Sequence, residues 1–331
     1  MPVIEPSTYV PPRLLHSGHA LTIWASCRRK LPYGWEPWFS TVRLTTPDGD
    51  FFDLDCLPAR PDRRSDKAVI LSHGLEGNSR RPYVRGMAEA FRTMGWDALA
   101  RNFRGCSGEP NRTLGMYHGG QTCDLHQTVL YAQELGYRTL ALVGFSMGGN
   151  QTLKYVGEDP ARVPASVCAA VGISTPCDLE ASAGELTRLS RLPYMAYFLK
   201  TLRAKIREKQ RRFPELVDVS QLWRVWNFEQ FDNLYTAPLH GFRNARDYWR
   251  RASCLPVLAQ VRLPILLINA LDDPFLAPSC FPVDLARSHP RLTLEMPEHG
   301  GHVGFVSADP ARYWSETRVV DFVSEISGVA G

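Results

Sequence analysis

From Lys67 onward, short apolar runs alternate with amphipathic stretches of helical length, and this rhythm restricts the fold more than any other feature. The apolar runs cover residues 67–72, 97–102, 139–144, 166–173 and 265–270. Helix candidates lie between and after them, at 81–94, 121–135, 147–157 and 310–327. Because nearly continuous apolar strands are buried on both faces, the alternation predicts an α/β fold with a mostly parallel sheet between two layers of helices. Active groups gather at the carboxyl ends of such strands.

The segment before this alternation has a different character. Residues 40–46 and 51–57 alternate apolar and polar side chains, and Pro-Asp-Gly-Asp joins them, so a β-hairpin is predicted there. Residues 1–38 are rich in proline, aromatic and basic residues and are predicted to form an extended arm laid over the main domain. The whole chain, 1–331, is predicted to be one domain.

One interval breaks the alternation. Residues 178–250 show no strand signal and contain a long helical stretch near 194–212, so they are predicted to form a helical lid or cap inserted between two strands. Four apolar residues recur there at every fourth position: Tyr194, Phe198, Leu202 and Ile206. The end of the stretch, 203–212, is basic. A solvated helix face is the simpler interpretation, and transient contact with anionic lipid or an anionic head group is the alternative.

Composition excludes several classes of function. The net charge of +4 over 331 residues is too small for a typical nucleic-acid-binding domain. The eight cysteines are spread singly without a CxxC pair, which argues against a zinc ribbon or a thioredoxin-like site. The N-terminus has neither the basic nor the apolar region of a signal peptide, and no run of about 18 apolar residues is present, so a cytoplasmic location is expected.

The strongest local signal for chemistry is the hexapeptide Gly144–Gly149, which reads Gly-Phe-Ser-Met-Gly-Gly. It follows an apolar strand and opens an amphipathic helix, the context of a nucleophile elbow. The glycines permit a sharp reversal that exposes the Ser146 hydroxyl, and the helix start places a positive dipole end beneath a developing oxyanion. We therefore predict that Ser146 is the nucleophile; a tight structural turn is the alternative.

A serine hydroxyl needs a base to accept its proton, and the base needs an acid to hold it. In a fold of this kind the order along the chain is serine, aspartate or glutamate, then histidine. His302 is preferred to His299 as the base, because the glycines before it allow the loop to reach the serine. Asp273 is preferred as the acid, because Pro274 fixes the turn after it, and Asp272 remains the alternative.

An acyl-transfer site also needs two donors for the oxyanion. The N–H of Met147, directly after the nucleophile, is one candidate, and the N–H of Leu75, in the loop after the first parallel strand, is the other. Phe145, Leu75 and Met147 are also predicted to bind substrate, as the apolar wall of a pocket for short to medium acyl chains. His73, in the same loop, is interpreted as an anchoring residue in preference to a base.

Two further polar groups lie near the predicted rim of the sheet. Arg104 follows the second parallel strand, where pinning a loop is favoured over orienting an acidic substrate. Asp124 is predicted to lie near a helix start. Because His118 and Asp124 lack other ligands at metal spacing, we predict no metal and no other cofactor.

Six segments in order are similar to motifs of a known family. They are 72–79, 102–108, 117–125, 144–150, 269–275 and 299–305, with 247–253 extending the similarity over nearly the whole chain. Together they resemble the YheT-like subfamily of α/β-hydrolases, the AB-hydrolase-4 group, which includes eukaryotic members that act on lipid esters. The resemblance implies the α/β-hydrolase fold, esterase activity, and a triad of Ser146, an aspartate of the 272/273 pair and His302. It names no physiological substrate.

The expected function is that of a serine hydrolase that cleaves carboxylic esters, short to medium in acyl chain or lipid-like, through an acyl-enzyme. Three alternatives stay open: acyl transfer to an alcohol or thiol, a phospholipid-directed lipase on the same triad, and a catalytically silent hydrolase-like binding protein. The expected partners are a small-molecule ester or lipid and, transiently, a membrane surface, with no nucleic acid. The sequence does not indicate an oligomeric state.

Overall fold

A computed structural model describes residues 3–4, 7–13, 15–29, 31, 40–309 and 311–328. Its centre is a sheet that has nine strands within these residues. The strands are β1 (Val3–Ile4), β2 (Ser40–Thr45), β3 (Phe51–Leu57), β4 (Lys67–Ser72), β5 (Asp97–Arg101), β6 (Thr139–Phe145), β7 (Val167–Ile173), β8 (Ile265–Ile268) and β9 (Leu292–Glu295). The mostly parallel sheet predicted from the sequence is confirmed.

The order of the strands explains where a site can form. Across the sheet they follow β1-β9-β8-β7-β6-β4-β5-β3-β2, and only the pairs β2–β3 and β3–β5 are antiparallel. The chain passes from β4 to β5 on one side and then returns to β6 on the other, so the strand order reverses at β4. A crevice outside the carboxyl ends of the strands at such a reversal is the usual binding place in an open α/β sheet.

Helices account for most of the remaining chain. They are α1 (Gly18–Cys27), α2 (Pro82–Thr93), α3 (Cys123–Glu134), α4 (Met147–Glu158), α5 (Leu179–Glu185), α6 (Leu192–Arg212), α7 (Phe228–Phe231), α8 (Ala237–Leu239), α9 (Ala245–Ala252), α10 (Val283–Ser288) and α11 (Trp314–Ser327). Local chemistry sets some of their ends. Pro82 opens α2, where its missing N–H costs no hydrogen bond, and Gly328 closes α11 at φ 66. None of the described helices combines the length and hydropathy of a membrane span.

Apolar side chains form one core on each face of the sheet. On one face, α3, α4 and α10 contribute Val129, Leu153 and Ala286 to a cluster with the strand residues. On the other face, α2 and α11 contribute Phe91 and Val319. This confirms the prediction of helices on both sides, and it explains why the central strands read as continuous apolar runs.

The predicted N-terminal hairpin is also confirmed. Strands β2 and β3 pair in antiparallel register from Ser40 opposite Cys56 to Thr45 opposite Phe51. Strand β3 additionally pairs with β5, which the sequence pattern did not indicate. The hairpin therefore extends the central sheet.

Residues 178–250 lie between β7 and β8, and no strand occurs among them. We call this segment the helical insertion. Its core is built on the long helix α6, from which Met195, Leu199, Leu202 and Ile206 are buried. Tyr194 and Phe198, expected on the apolar face, are only partly buried.

The described residues of the N-terminal segment 1–38 contain more regular structure than the predicted extended arm. Strand β1 pairs in parallel with β9 at the edge of the sheet. Helix α1 spans Gly18–Cys27, where no helix is predicted from the sequence. The part of the predicted arm at 32–38 lies outside the described residues.

Candidate active site

Ser146 lies in the sharp turn between β6 and α4, with φ 53 and ψ −122, a region that L-residues rarely adopt. Two glycines permit this turn. A Cβ atom on Gly144 would collide with the backbone of Gly148, and one on Gly148 would collide with the carbonyl of Ser72. The Ser146 N–H donates to the carbonyl of Ile173 over 2.8 Å. The turn therefore fixes the hydroxyl at the carboxyl edge of the sheet.

His302 approaches this hydroxyl from the loop after β9. Its Nε2 atom is 2.9 Å from the Ser146 Oγ atom. The backbone N–H of His302 donates to the Thr22 hydroxyl over 2.8 Å. The His302 ring stacks on Phe275 with 4.1 Å between centroids. Gly301, directly before it, adopts φ 57. Ser146 and Phe275 therefore contact the imidazole itself, and Thr22 fixes the backbone that carries it.

Asp273 contacts the other nitrogen of this imidazole. The His302 Nδ1 atom is 2.9 Å and 3.1 Å from the two carboxylate oxygens of Asp273. The Phe275 N–H donates to the same carboxylate over 2.8 Å, and the side chain is fully buried. Because an ionised carboxylate can only accept, Nδ1 carries the hydrogen and Nε2 is left to accept the serine proton.

Asp272, the alternative acid, faces elsewhere. Its Oδ1 atom accepts the Gly301 N–H over 2.8 Å, and its Oδ2 atom is 3.3 Å from the Nδ1 atom of His299. Burial raises the pKa of its carboxyl. The two aspartate–histidine pairs therefore run side by side, and only the Asp273–His302 pair reaches Ser146.

Backbone N–H groups lie on two sides of Ser146. Met147 is the first residue of α4, and the first N–H groups of a helix have no partner within it. On the other side, a Cβ atom on Gly74 would lie 3.1 Å from the Ser146 Cβ. The Gly74 N–H donates to the Tyr83 hydroxyl over 3.1 Å, whereas the Leu75 N–H has no protein acceptor within the described residues. The loop of Leu75 thus approaches the nucleophile at Gly74, and the assignment of Met147 and Leu75 as oxyanion donors stays a prediction.

The loop that carries Leu75 is tied to the helical insertion through Glu76. Glu76 has φ 54, and its N–H donates to the Tyr117 hydroxyl over 3.0 Å. That hydroxyl donates in turn to the Glu76 carboxylate. The ammonium of Lys205, on α6, is 2.9 Å from the same carboxylate. The sequence pattern did not indicate this network, because its members are far apart in the chain.

His73 and Arg104 join loops to one another. The Nδ1 atom of His73 is 2.7 Å from the Gly74 carbonyl oxygen, and its Nε2 atom accepts the Phe103 N–H over 3.0 Å. Burial lowers the pKa of His73 to about 3, so the ring is neutral at neutral pH. The Arg104 guanidinium donates two hydrogen bonds to Asp124, at 2.8 Å and 2.9 Å. Both residues act as the loop anchors that the sequence favoured.

A cavity with about 910 Å³ of empty space, partly open to solvent, separates the Ser146 turn from the helical insertion. Leu75, Met147 and His302 line it from the side of the sheet. Apolar residues of the insertion line the opposite side, among them Leu186, Phe198, Leu202, Phe228 and Phe231. An apolar cavity of this kind beside a few polar groups is typical of a site for a small organic ligand.

Phe145 does not line this cavity, which corrects one sequence prediction. Its side chain is buried in the core on the sheet face that α2 covers, and its ring centroid is 4.8 Å from that of Tyr83. Side chains alternate along a strand. The last side chain of β6 therefore points into the core, and the serine after it occupies the turn.

Asp232 places a buried carboxyl on the wall of the cavity. It belongs to a π-helical turn, Asp232–Thr236, of a type that is frequent at functional sites. Its oxygens accept from the Thr236 hydroxyl over 2.5 Å and from the Trp249 indole over 2.7 Å. Burial raises the pKa of Asp232 to about 7. No sequence motif distinguished this aspartate from a surface residue.

Helix α1 packs against the loop that carries His302, a contact that the sequence pattern did not indicate. A Cβ atom on Gly18 would collide with the backbone of Asp272, and one on Gly301 would collide with the carbonyl of Gly18. The Nδ1 atom of His19 is 3.0 Å from the Tyr194 hydroxyl on α6. Helix α1 therefore contacts both the candidate site and the helical insertion.

Comparison with known proteins gives a consistent result. The sequence model of the α/β-hydrolase fold matches residues 67–309. The YheT protein of Escherichia coli K12 is 36% identical over 287 residues, which are 85% of this chain and 84% of that protein. Phospholipase ABHD3 of mouse is 30% identical over 271 residues, which are 80% of this chain and 65% of that protein.

Solved structures agree on the fold. An esterase of Pyrococcus furiosus, Pf2001, superposes with a TM-score of 0.61 at 18% identity. The match covers 90% of this chain and 96% of the esterase. At this identity the similarity concerns the fold alone.

Proposed function

The chain belongs to the α/β-hydrolase family and is a hydrolase of the YheT-like group, and we propose that it cleaves carboxylic esters through an acyl-enzyme on Ser146. The observation that carries this proposal is the chain of contacts from Ser146 Oγ to His302 Nε2 and from His302 Nδ1 to Asp273. That order of groups is what a nucleophilic serine requires.

The first half of the proposed reaction forms the acyl-enzyme. His302 Nε2 takes the hydroxyl proton as the Ser146 oxygen attacks the ester carbonyl. The negative charge that develops on the carbonyl oxygen is stabilised by the N–H groups of Met147 and Leu75. The C–O bond to the alcohol then breaks, and the imidazolium returns its proton to the leaving oxygen.

The second half releases the acid. Water enters in place of the alcohol, gives a proton to His302 Nε2 and attacks the acyl carbonyl. The bond to Ser146 breaks, and the serine oxygen recovers the proton from the imidazolium. Asp273 keeps the ring in the tautomer that both halves need.

The proposed substrate is an ester with an apolar acyl group of short to medium length, or a lipid-like ester. Aromatic and aliphatic side chains of the helical insertion support this, because they form one whole side of the cavity. The similarity to mouse phospholipase ABHD3 supports a lipid-like ester as well.

A panel of p-nitrophenyl esters of increasing chain length, assayed with the wild-type chain and with Ser146→Ala, tests the proposal. We expect turnover by the wild type to be highest on short to medium chains and to fall by about 10⁶-fold in Ser146→Ala. A variant that kept its turnover would refute the assignment of Ser146. A wild type that cleaved only peptides or only charged esters would refute the proposed substrate class.

A further inference from the structure

The helical insertion carries most of the large apolar side chains that the described part of the chain exposes. Trp223 is 65% exposed and Trp226 is 69% exposed. Other exposed apolar residues of the same segment are Leu189, Leu192, Tyr197, Leu216 and Leu234. Single exposed apolar residues are common on any protein, but a concentration of them that includes two indole rings marks an interaction surface.

Local packing explains why the two tryptophans point outward. A 3₁₀ turn at Leu222–Arg224 buries Leu222, and Val225 is buried as well, so both enter the core of the insertion. The intervening Trp223 and the following Trp226 are left on the outside. The backbone N–H of Trp226 donates to the Gln230 side-chain oxygen over 2.6 Å, which fixes the end of this turn.

A row of basic residues on α6 lies beside Trp226. Lys200, Arg203 and Arg207 are spaced by three and four residues, so they share one face of the helix. The Arg203 guanidinium donates to the Val225 carbonyl and lies 5.7 Å from the Trp226 ring. We call Trp223, Trp226 and these three basic residues the tryptophan–basic surface.

The rest of the basic tail of α6 is occupied elsewhere. Lys205 pairs with Glu76, Arg211 pairs with Glu208 over 2.5 Å, and Arg212 donates to the Asn111 carbonyl over 2.6 Å. Lys209 is buried and donates to the Thr113 carbonyl. The stretch 203–212 that the sequence singled out therefore turns partly inward, while Lys200 and Arg207 have no ion pair within the described residues.

The charge of this region is distinctive within the molecule. Residues 192–226 hold eight lysine or arginine residues and three acidic residues, whereas the whole chain holds 38 and 34. The chain's entire excess of positive charge therefore lies in this segment. Positive charge beside exposed indole rings complements an anionic lipid surface, where tryptophan occupies the headgroup level and each nearby lysine or arginine adds affinity.

The tryptophan–basic surface lies on the outer side of elements whose inner side lines the cavity. Phe198 and Leu202 of α6 face the cavity, and so does Phe228, two residues after Trp226. A surface that docks against these elements is therefore brought close to the cavity.

We infer that the tryptophan–basic surface docks the protein on anionic lipid membranes. The inference goes beyond ester hydrolysis and does not depend on it, because the contacts involve neither Ser146 nor His302.

Vesicle binding tests the inference. The full chain is sedimented with vesicles of phosphatidylcholine alone and of phosphatidylcholine with about 30 mol% phosphatidylglycerol, at low and high salt. We expect binding to the anionic vesicles that weakens strongly between about 0.05 M and 0.5 M salt, because the charges are then screened. Lys200→Gln/Arg207→Gln should weaken binding by roughly 30-fold, since each basic residue near the surface contributes about fivefold.

Tryptophan variants distinguish docking through the tryptophan–basic surface from non-specific adsorption to the vesicles. Trp223→Ser/Trp226→Ser should weaken binding by about tenfold or more, because buried apolar area is lost. Trp24→Ser is the matched control, since Trp24 is 45% exposed on α1, outside the surface, and it should bind as the wild type does. All variants should keep the wild-type activity on a soluble short-chain ester, which shows that they fold.

Several results would overturn the inference. They are failure of the wild type to bind either vesicle, equal binding with and without phosphatidylglycerol, and an equal loss in Trp24→Ser and Trp223→Ser/Trp226→Ser. Ser146→Ala should bind vesicles like the wild type. An inactive but membrane-binding wild type would refute the proposed ester hydrolysis and leave this inference standing.

Discussion

Polar groups have different surroundings at the rim of the sheet, which is the carboxyl edge of the strands around Ser146, and in the helical insertion. At the rim, Ser146, His302 and Asp273 bond to one another across long sequence distances. In the insertion, Asp232 is buried with neutral partners only, and indole rings and basic side chains remain exposed. The rim is thus a fixed arrangement suited to one chemistry, whereas the insertion leaves groups available to a ligand or a surface. In our proposal, the rim determines the reaction and the insertion determines what is brought to it.

Polar contacts join the two regions, and two of them lie close to the candidate site. Lys205 of the insertion pairs with Glu76 of the rim at 2.9 Å. The Gly119 N–H donates to the Tyr248 hydroxyl of α9 over 2.9 Å. Substitutions on either side of these contacts test whether the rim determines the reaction and the insertion determines the choice of substrate.

The largest expected effect is at the rim, where the two neighbouring aspartates can be compared. We expect Asp273→Asn to lower kcat by about 10⁴-fold, because the amide no longer holds the required imidazole tautomer. Asp272→Asn should cost less than about tenfold, since its amide oxygen can still accept the Gly301 N–H. Steady-state kinetics on a p-nitrophenyl ester measure both. Equal losses in the two variants would refute the assignment of Asp273.

The next effect concerns stability and lies in the insertion. The Asp232 carboxyl has a pKa of about 7 in the folded chain, whereas an aspartate of the unfolded chain has a pKa of about 3.9. The folded state thus binds more protons between these values, and its stability falls as pH rises through this window. Asp232→Asn lacks this titration. Relative to the variant, the wild type should lose roughly 4 kcal/mol or less between about pH 4 and pH 8.

Urea unfolding of both proteins at several pH values checks this prediction. Asp232→Asn retains an oxygen acceptor for the Trp249 indole, so the comparison isolates the titration. Parallel stability curves for the two proteins across the window would contradict it.

A smaller effect is expected where the two regions touch. Lys205→Met removes the cation that holds Glu76 and, through it, the loop of Leu75. We expect kcat to fall by roughly 10- to 100-fold with little change in KM, because an oxyanion donor is displaced. Lys200→Met, on the outer face of the same helix, is the matched control and should keep the wild-type kcat. Glu76→Gln should cost about as much as Lys205→Met, and the double variant should cost no more than either.

The smallest effect should appear in substrate preference. Phe198→Ala enlarges the side of the cavity that the insertion forms. It should lower kcat/KM on longer acyl esters by about tenfold, because the chain loses apolar contact. The acetate ester should be cleaved within about threefold of the wild-type rate. A uniform loss over all chain lengths would place Phe198 in a purely structural role.

Much of the fold was predictable because buried parallel strands carry a strong local signal. The apolar run at 67–72 coincides with β4, and the predicted hairpin matches β2 and β3 within one residue. Helix α1 was missed because it follows a proline-rich stretch, although Ser17 at its N-cap is a residue type that favours a helix start. A two-residue strand such as β1 leaves no periodicity to detect.

The candidate site was predictable only as far as its local turns. The glycines around Ser146 and before His302 predict sharp turns, and the structure has sharp turns at both places. Phe145 was misplaced because proximity in sequence does not reveal which face of a strand a side chain occupies. The pairing of Glu76 with Lys205 joins residues more than a hundred positions apart. The charges in a sequence do not show which face of a helix packs against the rest of the protein.

Covalent labelling of the full chain with a fluorophosphonate, followed by peptide mass mapping, is the most direct test that the rim makes one serine nucleophilic. We expect a single adduct, on Ser146, with no labelling of Ser146→Ala and labelling of His302→Ala slowed by several orders of magnitude. An adduct on a different serine, or wild-type labelling of Ser146→Ala, would contradict the proposed mechanism.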